Sequence, residues 1–180
     1  SYVSPQAYIK TNIEGTYNVL EAAKNNNINQ IIVTSTSETY GTAQYVPMDE
    51  KHPTESQSPY AASKNSADEL AKSYFRSFNL PVKIIRPFNT YGPRQSARAI
   101  IPNIIFQLND KKIKKVKLGN LTPKRDYTFV EDLCEAYYKI YNLKKFGETY
   151  NVGANDNISI KDLYNLISKA IGIKKKIIIE

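Results

Sequence analysis

The sequence predicts an α/β protein: a parallel sheet with helices on both faces, followed by part of a smaller region that departs from the sheet. Three observations carry this. Helical and strand-like patterns alternate through the first half of the chain. The first strand candidate, Gln30–Thr34, reads as a short buried strand that runs straight into a hydroxyl-rich turn. The segments between strands are long enough to be helical crossovers, which parallel pairing requires.

The elements follow in order. A helix is expected from about Pro5 to Asn26, then a strand over Gln30–Thr34. The next helix, Pro59–Phe78, has a start signal in Ser58 as N-cap and Pro59 at the first helical position. Its apolar stripe runs through Ala61, Ala62, Ala67, Leu70, Ala71, Phe75 and Phe78. A strand over Val82–Arg86 comes next. Beyond Arg86 the pattern loosens, with helices near Ala97–Leu108 and Val130–Leu143 and a basic stretch up to Leu118. Strands over Glu148–Val152 and Lys174–Ile179, and a helix capped by Ser159 and running through Ile171, complete the reading. The division this suggests is residues 1–90 for most of the sheet and 91–180 for a partial second region interleaved with it.

Composition bounds the function classes. The 180 residues are 41% hydrophobic with a mean hydropathy of −0.48, enough to bury a sizeable core. No apolar run approaches the ~18 residues needed to span a bilayer, and the N-terminus lacks a signal-peptide core. A cytoplasmic protein with no membrane partner is expected. The single Cys134 is expected to be a packed thiol on its helix, and no metal-ligand cluster is evident. His52, beside Pro53 in a polar loop, is expected to be exposed. The net charge of +8 raises nucleic-acid binding, through Lys111, Lys112, Lys114, Lys115, Lys117 and later Lys174–Lys176. These runs are short, are spaced around Ile113 and Val116 as a solvated edge would be, and accompany no nucleic-acid motif.

Two segments carry chemistry. Tyr60 and Lys64 stand four apart at the start of a predicted helix, so they share a face, and a lysine ammonium there would favour the ionised phenol. A phenol titrates near ~10 and needs such a cation to act as a base at neutral pH. Thr34-Ser35-Thr36-Ser37-Glu38 follows the first strand directly, placing a hydroxyl and a carboxylate where open parallel sheets bind ligands. An ordinary Ser/Thr turn would explain the hydroxyls, but it needs no carboxylate followed by Tyr40-Gly41.

With these residues in view the chain resembles the extended short-chain dehydrogenase/reductases that act on nucleotide sugars. The segments YIKTNIEGTYNVLEAA (Tyr8–Ala23), TSTSETYG (Thr34–Gly41), SPYAASK (Ser58–Lys64), RPFNTYGPR (Arg86–Arg94) and RDYTFVED (Arg125–Asp132) fall in that family's order and approximate spacing. Within it, RPFNTYGPRQSARAIIP and LGNLTPKRD look most like NAD-dependent 4,6-dehydratases of the legionaminic-acid pathway type.

The resemblance implies a Rossmann-like fold, NAD as cofactor, a nucleotide-diphosphate sugar as substrate and a homodimer formed by paired helices. It also implies roles. Tyr60 would take the proton of the sugar C4 hydroxyl as hydride leaves for NAD, with Thr36 bonded to the same oxygen. Glu38 would then remove the C5 hydrogen, water would leave from C6, and the hydride would return there. Lys64 would also bond the nicotinamide ribose beside Phe88. Asn12 either contacts the cofactor or is a polar residue that caps its helix or bridges it to a strand. Asn89 and Arg125, with Arg94 nearby, would bind the diphosphate through donors suited to phosphate oxygens. For Arg125 an ion pair with Asp126 is the plain alternative; for Arg94 it is coverage of the turn after Gly92-Pro93.

Two departures qualify the match. The seven glycines form no G-x-G-x-x-G cluster, so the glycine-rich portion that cradles a dinucleotide is missing from these 180 residues. The chain is therefore expected to be a fragment, inactive alone. Ser37 occupies a position where many 4,6-dehydratases carry an acidic Asp, an arrangement shared with nucleotide-sugar decarboxylases. A decarboxylase or 4-epimerase is thus the alternative within the family, and a noncatalytic interaction module the alternative of another class.

Overall fold

The computed structural model describes residues 2–180. The chain runs α1 (Pro5–Tyr8), a π-helical turn (Ile9–Glu14), α2 (Gly15–Asn25), β1 (Ile31–Thr34), a 3-10 turn (Ser37–Tyr40), α3 (Pro59–Phe78), β2 (Val82–Pro87) and β3 (Asn89–Tyr91). It continues through α4 (Ile100–Asn109), β4 (Lys115–Leu118), β5 (Lys124–Arg125), β6 (Tyr127–Phe129) and α5 (Val130–Asn142). The last elements are β7 (Thr149–Val152), β8 (Ile158–Ser159), α6 (Ile160–Ile171) and β9 (Lys176–Ile179).

Two compact units are interleaved along the chain. The first comprises the chain through Phe88 together with Glu131–Val152; the second comprises Asn89–Val130 and Gly153–Glu180. The chain thus leaves the sheet after β2 and returns to it for most of α5 and for β7.

The first unit is built on a parallel sheet of order β1-β2-β7, with Ile32 opposite Lys83 and Ile85 opposite Tyr150. Side chains alternate across a strand, and here both sets are covered. Ile31, Val33, Val82 and Ile84 pack with Leu20 and Ala23 of α2 and Ala71 and Tyr74 of α3. Their neighbours Ile32, Ile85, Tyr150 and Val152 pack with Leu133, Ala136, Tyr137 and Ile140 of α5. Helices on both faces explain why β2 is buried along Val82–Arg86 without a break rather than at alternate residues.

Helix α3 has the bounds its signals predict: Ser58 Oγ accepts from Ala61 N at 3.0 Å, and Asn79 closes the helix with φ +53°. The first predicted helix contains a π-turn, marked by the Gly15 N–H reaching back five residues to Lys10 O. Two charged groups lie inside the sheet layer. Lys83, fully buried in β2, donates to the carbonyls of Ile140, Tyr141 and Leu143 at 2.8, 3.0 and 2.5 Å, so it caps α5 with a cation. Burial pushes its ammonium below the usual lysine range. Arg86 contacts Asp68 of α3 at 2.9 Å with both side chains buried.

In the second unit β4 pairs in parallel with β9, β3 with β6 in parallel, and β5 with β8 antiparallel. Its core is Ile104 and Leu108 of α4, Val116 and Leu118 of β4, and Leu163 and Tyr164 of α6. The basic stretch expected to be a solvated edge is therefore a strand: Val116 and Leu118 point into the core while Lys115 and Lys117 point out.

Two further expectations are corrected. Cys134 is exposed, because the inward stripe of α5 runs through Leu133, Ala136, Tyr137 and Ile140 and passes it by. His52 is buried, at 3% exposure. Its Nε2 accepts from Gln44 N at 2.9 Å, its Nδ1 meets Pro53 O at 2.8 Å, and its ring lies against Tyr40 and Tyr45. These contacts fix the tautomer protonated at Nδ1. A polar loop hid this, since the histidine pins the loop by backbone bonds that no composition signals.

Candidate active site

Strand β1 ends at Thr34, and the chain turns at once. Ser35 continues the ladder through its N–H to Ile85 O at 2.7 Å, while its Oγ donates to Asp68 Oδ2 at 2.8 Å. Thr36 caps the 3-10 turn, its Oγ1 accepting from Glu38 N at 3.2 Å. Tyr40 anchors the far end of the turn: it is fully buried, its hydroxyl donates to Asn151 Oδ1 at 2.7 Å, and its ring lies 4.7 Å from the Arg86 guanidinium. Gly41 then leaves with φ +71°, where a Cβ would stand 2.2 Å from the Glu55 carbonyl oxygen. Only glycine fits that conformation and that approach. The turn carrying Thr36, Ser37 and Glu38 is therefore held at both ends.

Across from it, Tyr60 sits in the first turn of α3. Glu38 and Tyr60 line one pocket of about 320 Å³ together with Tyr2, Tyr8 and Ser58. The Thr36 side chain stands close enough to the Tyr60 phenol to act on its titration. The Tyr8 ring stands edge-on to that of Tyr60, with centroids 5.7 Å apart. Asn12 in the π-turn donates to Ser63 Oγ at 2.9 Å, and Ser63 Oγ donates to Tyr60 O at 2.7 Å. Asn12 thus joins the π-turn to helix α3 rather than to a strand. Tyr2 and Tyr8 escaped the sequence reading; a pair of aromatics flanking the first helix start was the available signal.

Electrostatics differ from expectation in one respect. Tyr60 is raised above the ordinary phenol value, first by burial and then by the Glu38 carboxylate, with the Thr36 bond opposing. Lys64 does not lower it here, because its ammonium donates to Thr34 O at 2.6 Å. Burial lowers Lys64 itself, with Asp68 opposing. The expected lysine-activated phenol is thus a neutral phenol in this structure, and its cation is turned to the end of β1.

Phe88, where the chain first leaves the first unit, donates its N–H to Val152 O at 2.9 Å. The expected substrate residues fall in the second unit. Asn89 and Arg125 are brought to the two sides of Asp126 by the β3–β6 pairing. Asn89 donates to Asp126 O through both its backbone N–H, at 3.2 Å, and Nδ2, at 3.0 Å. The Asp126 carboxylate accepts from Ala154 N and Asn155 N, at 2.9 Å each. Arg125 is exposed and bonds only its neighbour's carbonyl, Lys124 O, so the alternative of a pair with Asp126 is not formed. Arg94 is exposed with φ +65°, a left-handed conformation uncommon for a residue with a Cβ. Among the described residues no group of three or more His, Cys, Asp or Glu side chains could hold a metal ion.

Comparison with known proteins places this geometry. The family described as GDP-mannose 4,6 dehydratase matches residues 1–179. A dTDP-glucose 4,6-dehydratase from Streptomyces antibioticus is 32% identical over 173 residues, covering 96% of this chain and 51% of that protein. DesIV, a dTDP-glucose 4,6-dehydratase from Streptomyces venezuelae solved with NAD and TYD bound, superposes with a TM-score of 0.92 at 27% identity, covering 100% of this chain and 56% of its own. A UDP-N-acetylglucosamine 4-epimerase from Methanobrevibacter ruminantium gives 0.90 at 29% identity, covering 99% and 59%. The chain spans about half the length of the curated relatives it matches.

Proposed function

Because the chain belongs to the GDP-mannose 4,6 dehydratase family, we propose that it is the catalytic-residue-bearing part of an NAD-dependent nucleotide-sugar 4,6-dehydratase. The observation that carries this reading is that Tyr60 and Glu38 line one pocket, with Thr36 beside the phenol. A base for an alcohol and a base for an adjacent carbon acid stand on one cavity.

The residues fit a dinucleotide on a separate observation: the Lys64 ammonium meets Thr34 O at the carboxyl end of β1, where open parallel sheets bind ligands. Lys64, Phe88 and Asn12 would line the cofactor side. The chemistry NAD supplies when bound is reversible storage of the two electrons taken at C4 and returned at C6.

Tyr60, once ionised, accepts the C4 hydroxyl proton while Thr36 holds the oxygen. Ionisation requires positive charge near the phenol, so Lys64 has to leave Thr34 O and approach Tyr60 as the site fills. The C4 ketone then acidifies C5–H, and Glu38 takes that proton. The C6 hydroxyl leaves as water, receiving the proton from Glu38, because Ser37 is too weak an acid; C5 then regains a proton from solvent, and Tyr60 releases to solvent the one it took, which closes the proton count. Asn89, Arg94 and Arg125 bind the diphosphate. The protein acts as a homodimer through α2 and α3; on α2, Tyr17 and Val19 are 48% and 59% exposed. Sedimentation at micromolar concentration checks this, and a monomer refutes it.

A second reading rests on Ser37, whose hydroxyl gives the turn no acid besides Glu38: a 4-epimerase or decarboxylase would need none at C6. The test is product analysis of the complete protein carrying this chain, with NAD and a panel of nucleotide sugars. A 4-keto-6-deoxy product supports dehydration. Inversion at C4 with C6 intact, or carbon dioxide from a uronic acid, overturns it. The 180 residues alone contain no glycine-rich turn, so calorimetry should find no tight NAD binding to them and assays no turnover.

A further inference from the structure

Charge is divided unevenly between the two units. The second unit carries fourteen Lys and Arg against five Asp and Glu, whereas the first carries eleven against twelve. The whole positive excess of the protein therefore lies in the second unit. A lysine-rich composition alone would load both units alike.

Within that unit the charge is concentrated on one sheet. The pairing of β4 with β9 sets Lys115 directly opposite Lys176 and Lys117 opposite Ile178. Val116, Leu118 and Ile177 face the core, so Lys115, Lys117, Lys176 and Ile178 form the outer face. The turn before β4 adds Lys111, Lys112 and Lys114, and the approach to β9 adds Lys174, all exposed. Lys117 is paired with Glu180, and Lys175 turns inward to Gln107 O and Asp110 O at 2.8 Å each. Among the described residues the other six lysines have no acidic side chain within ion-pair distance. Like charges directly opposite on neighbouring strands are unfavourable, and a polyvalent anion relieves that repulsion.

We propose that this lysine face is a peripheral docking surface for a bilayer containing anionic phospholipid. Two observations favour lipid over nucleic acid. No Arg, Tyr, Phe or His stands among residues 111–117 or 174–179, so the face has neither guanidinium forks for phosphates nor rings for stacking bases. Ile178, at 37% exposure, adds apolar surface beside the lysines, which the headgroup boundary accommodates and a sugar–phosphate backbone does not. The expectation of no membrane partner rested on the lack of a spanning segment. A peripheral face needs none, and no helix among the described residues is long and apolar enough to cross a membrane.

The test is co-sedimentation of the chain with vesicles of phosphatidylcholine alone, or with about a third phosphatidylglycerol, at low and physiological salt. Binding is expected only to the anionic vesicles and weakens with salt. Each lysine near such a surface is worth about fivefold in affinity, so replacing Lys112, Lys115 and Lys176 by Gln should weaken binding roughly a hundredfold. The same change at Lys51, Lys139 and Lys144 of the first unit should weaken it little. Equal losses in both triple variants, equal binding to neutral vesicles, no binding at low salt, or tighter binding to a single-stranded oligonucleotide than to vesicles at matched salt each overturn the proposal.

Discussion

Replacing Asp68 by Asn tests the packing beneath the proposed active site. Asp68 and Arg86 are each about 2% exposed or less, so neither charge is screened by water. Burial raises the Asp68 carboxyl above its ordinary value even though Arg86 and Ser35 oppose it. Solvation lost by the carboxylate is therefore not fully recovered from its partners. Removing that charge alone leaves the Arg86 guanidinium buried against Tyr40 without a counter-ion, which costs about 3–5 kcal/mol. With a urea m-value of roughly 2 kcal/mol/M, the unfolding midpoint should fall by about 2 M. Replacing both partners, Asp68→Leu with Arg86→Met, should recover stability to within about 1 kcal/mol of the parent or exceed it. Circular dichroism against urea reads all the variants. If Asp68→Asn shifts the midpoint by less than about 0.5 M, or the double variant is weaker than the single, the argument from burial is wrong.

The native phenol of Tyr60 is raised, so its proton is held more tightly when folded. The stability this contributes is complete below ~10 and lost as pH rises through the folded value. The difference in ultraviolet titration between the parent and Tyr60→Phe should show phenolate only above pH ~10; a signal near neutrality in the ligand-free chain would mean that Lys64 already activates it. Lys83→Met should cost roughly 2–4 kcal/mol by leaving the last carbonyls of α5 without their donor, and hydrogen exchange should quicken first in that last turn. Gly41→Ala should cost about 2 kcal/mol or more, from the positive φ and the clash with Glu55 O. In the complete protein it should lower kcat by displacing Glu38; unchanged turnover would argue that the turn is not held as described.

What could be read from the sequence was whatever depends on near neighbours. Ser58-Pro59 and Asn79 bound α3 by local capping, and Ser159 with Gly172 bound α6 in the same way. The joining of Glu38 to Tyr60 was legible because a strand end and a helix start meet at one edge of a parallel sheet. Contacts made at long range were not. Nothing local to Val82–Arg86 signals that Lys83 is buried, since the carbonyls that surround it belong to the end of α5 and the residues after it, some sixty residues on. Lys111–Leu118 reads as a solvated edge because Val116 and Leu118 are too few to outweigh its five lysines, and the strand that β4 pairs with lies at the far end of the chain. Lys64 shared a helical face with Tyr60 as expected, but a backbone carbonyl competes for it and wins.

The π-turn between α1 and α2 accommodates one residue more than an α-helical turn would. Everything before it is thereby rotated by about a quarter of a revolution relative to everything after. Leu20 and Ala23 aim at the sheet from one side of this offset while Tyr8 aims at Tyr60 from the other, so a single rod serves two targets that a regular helix could not face at once. Deleting one residue from Ile9–Glu14 would straighten the rod and swing Tyr8 away from Tyr60, opening the cavity wall while leaving the hydrophobic core intact.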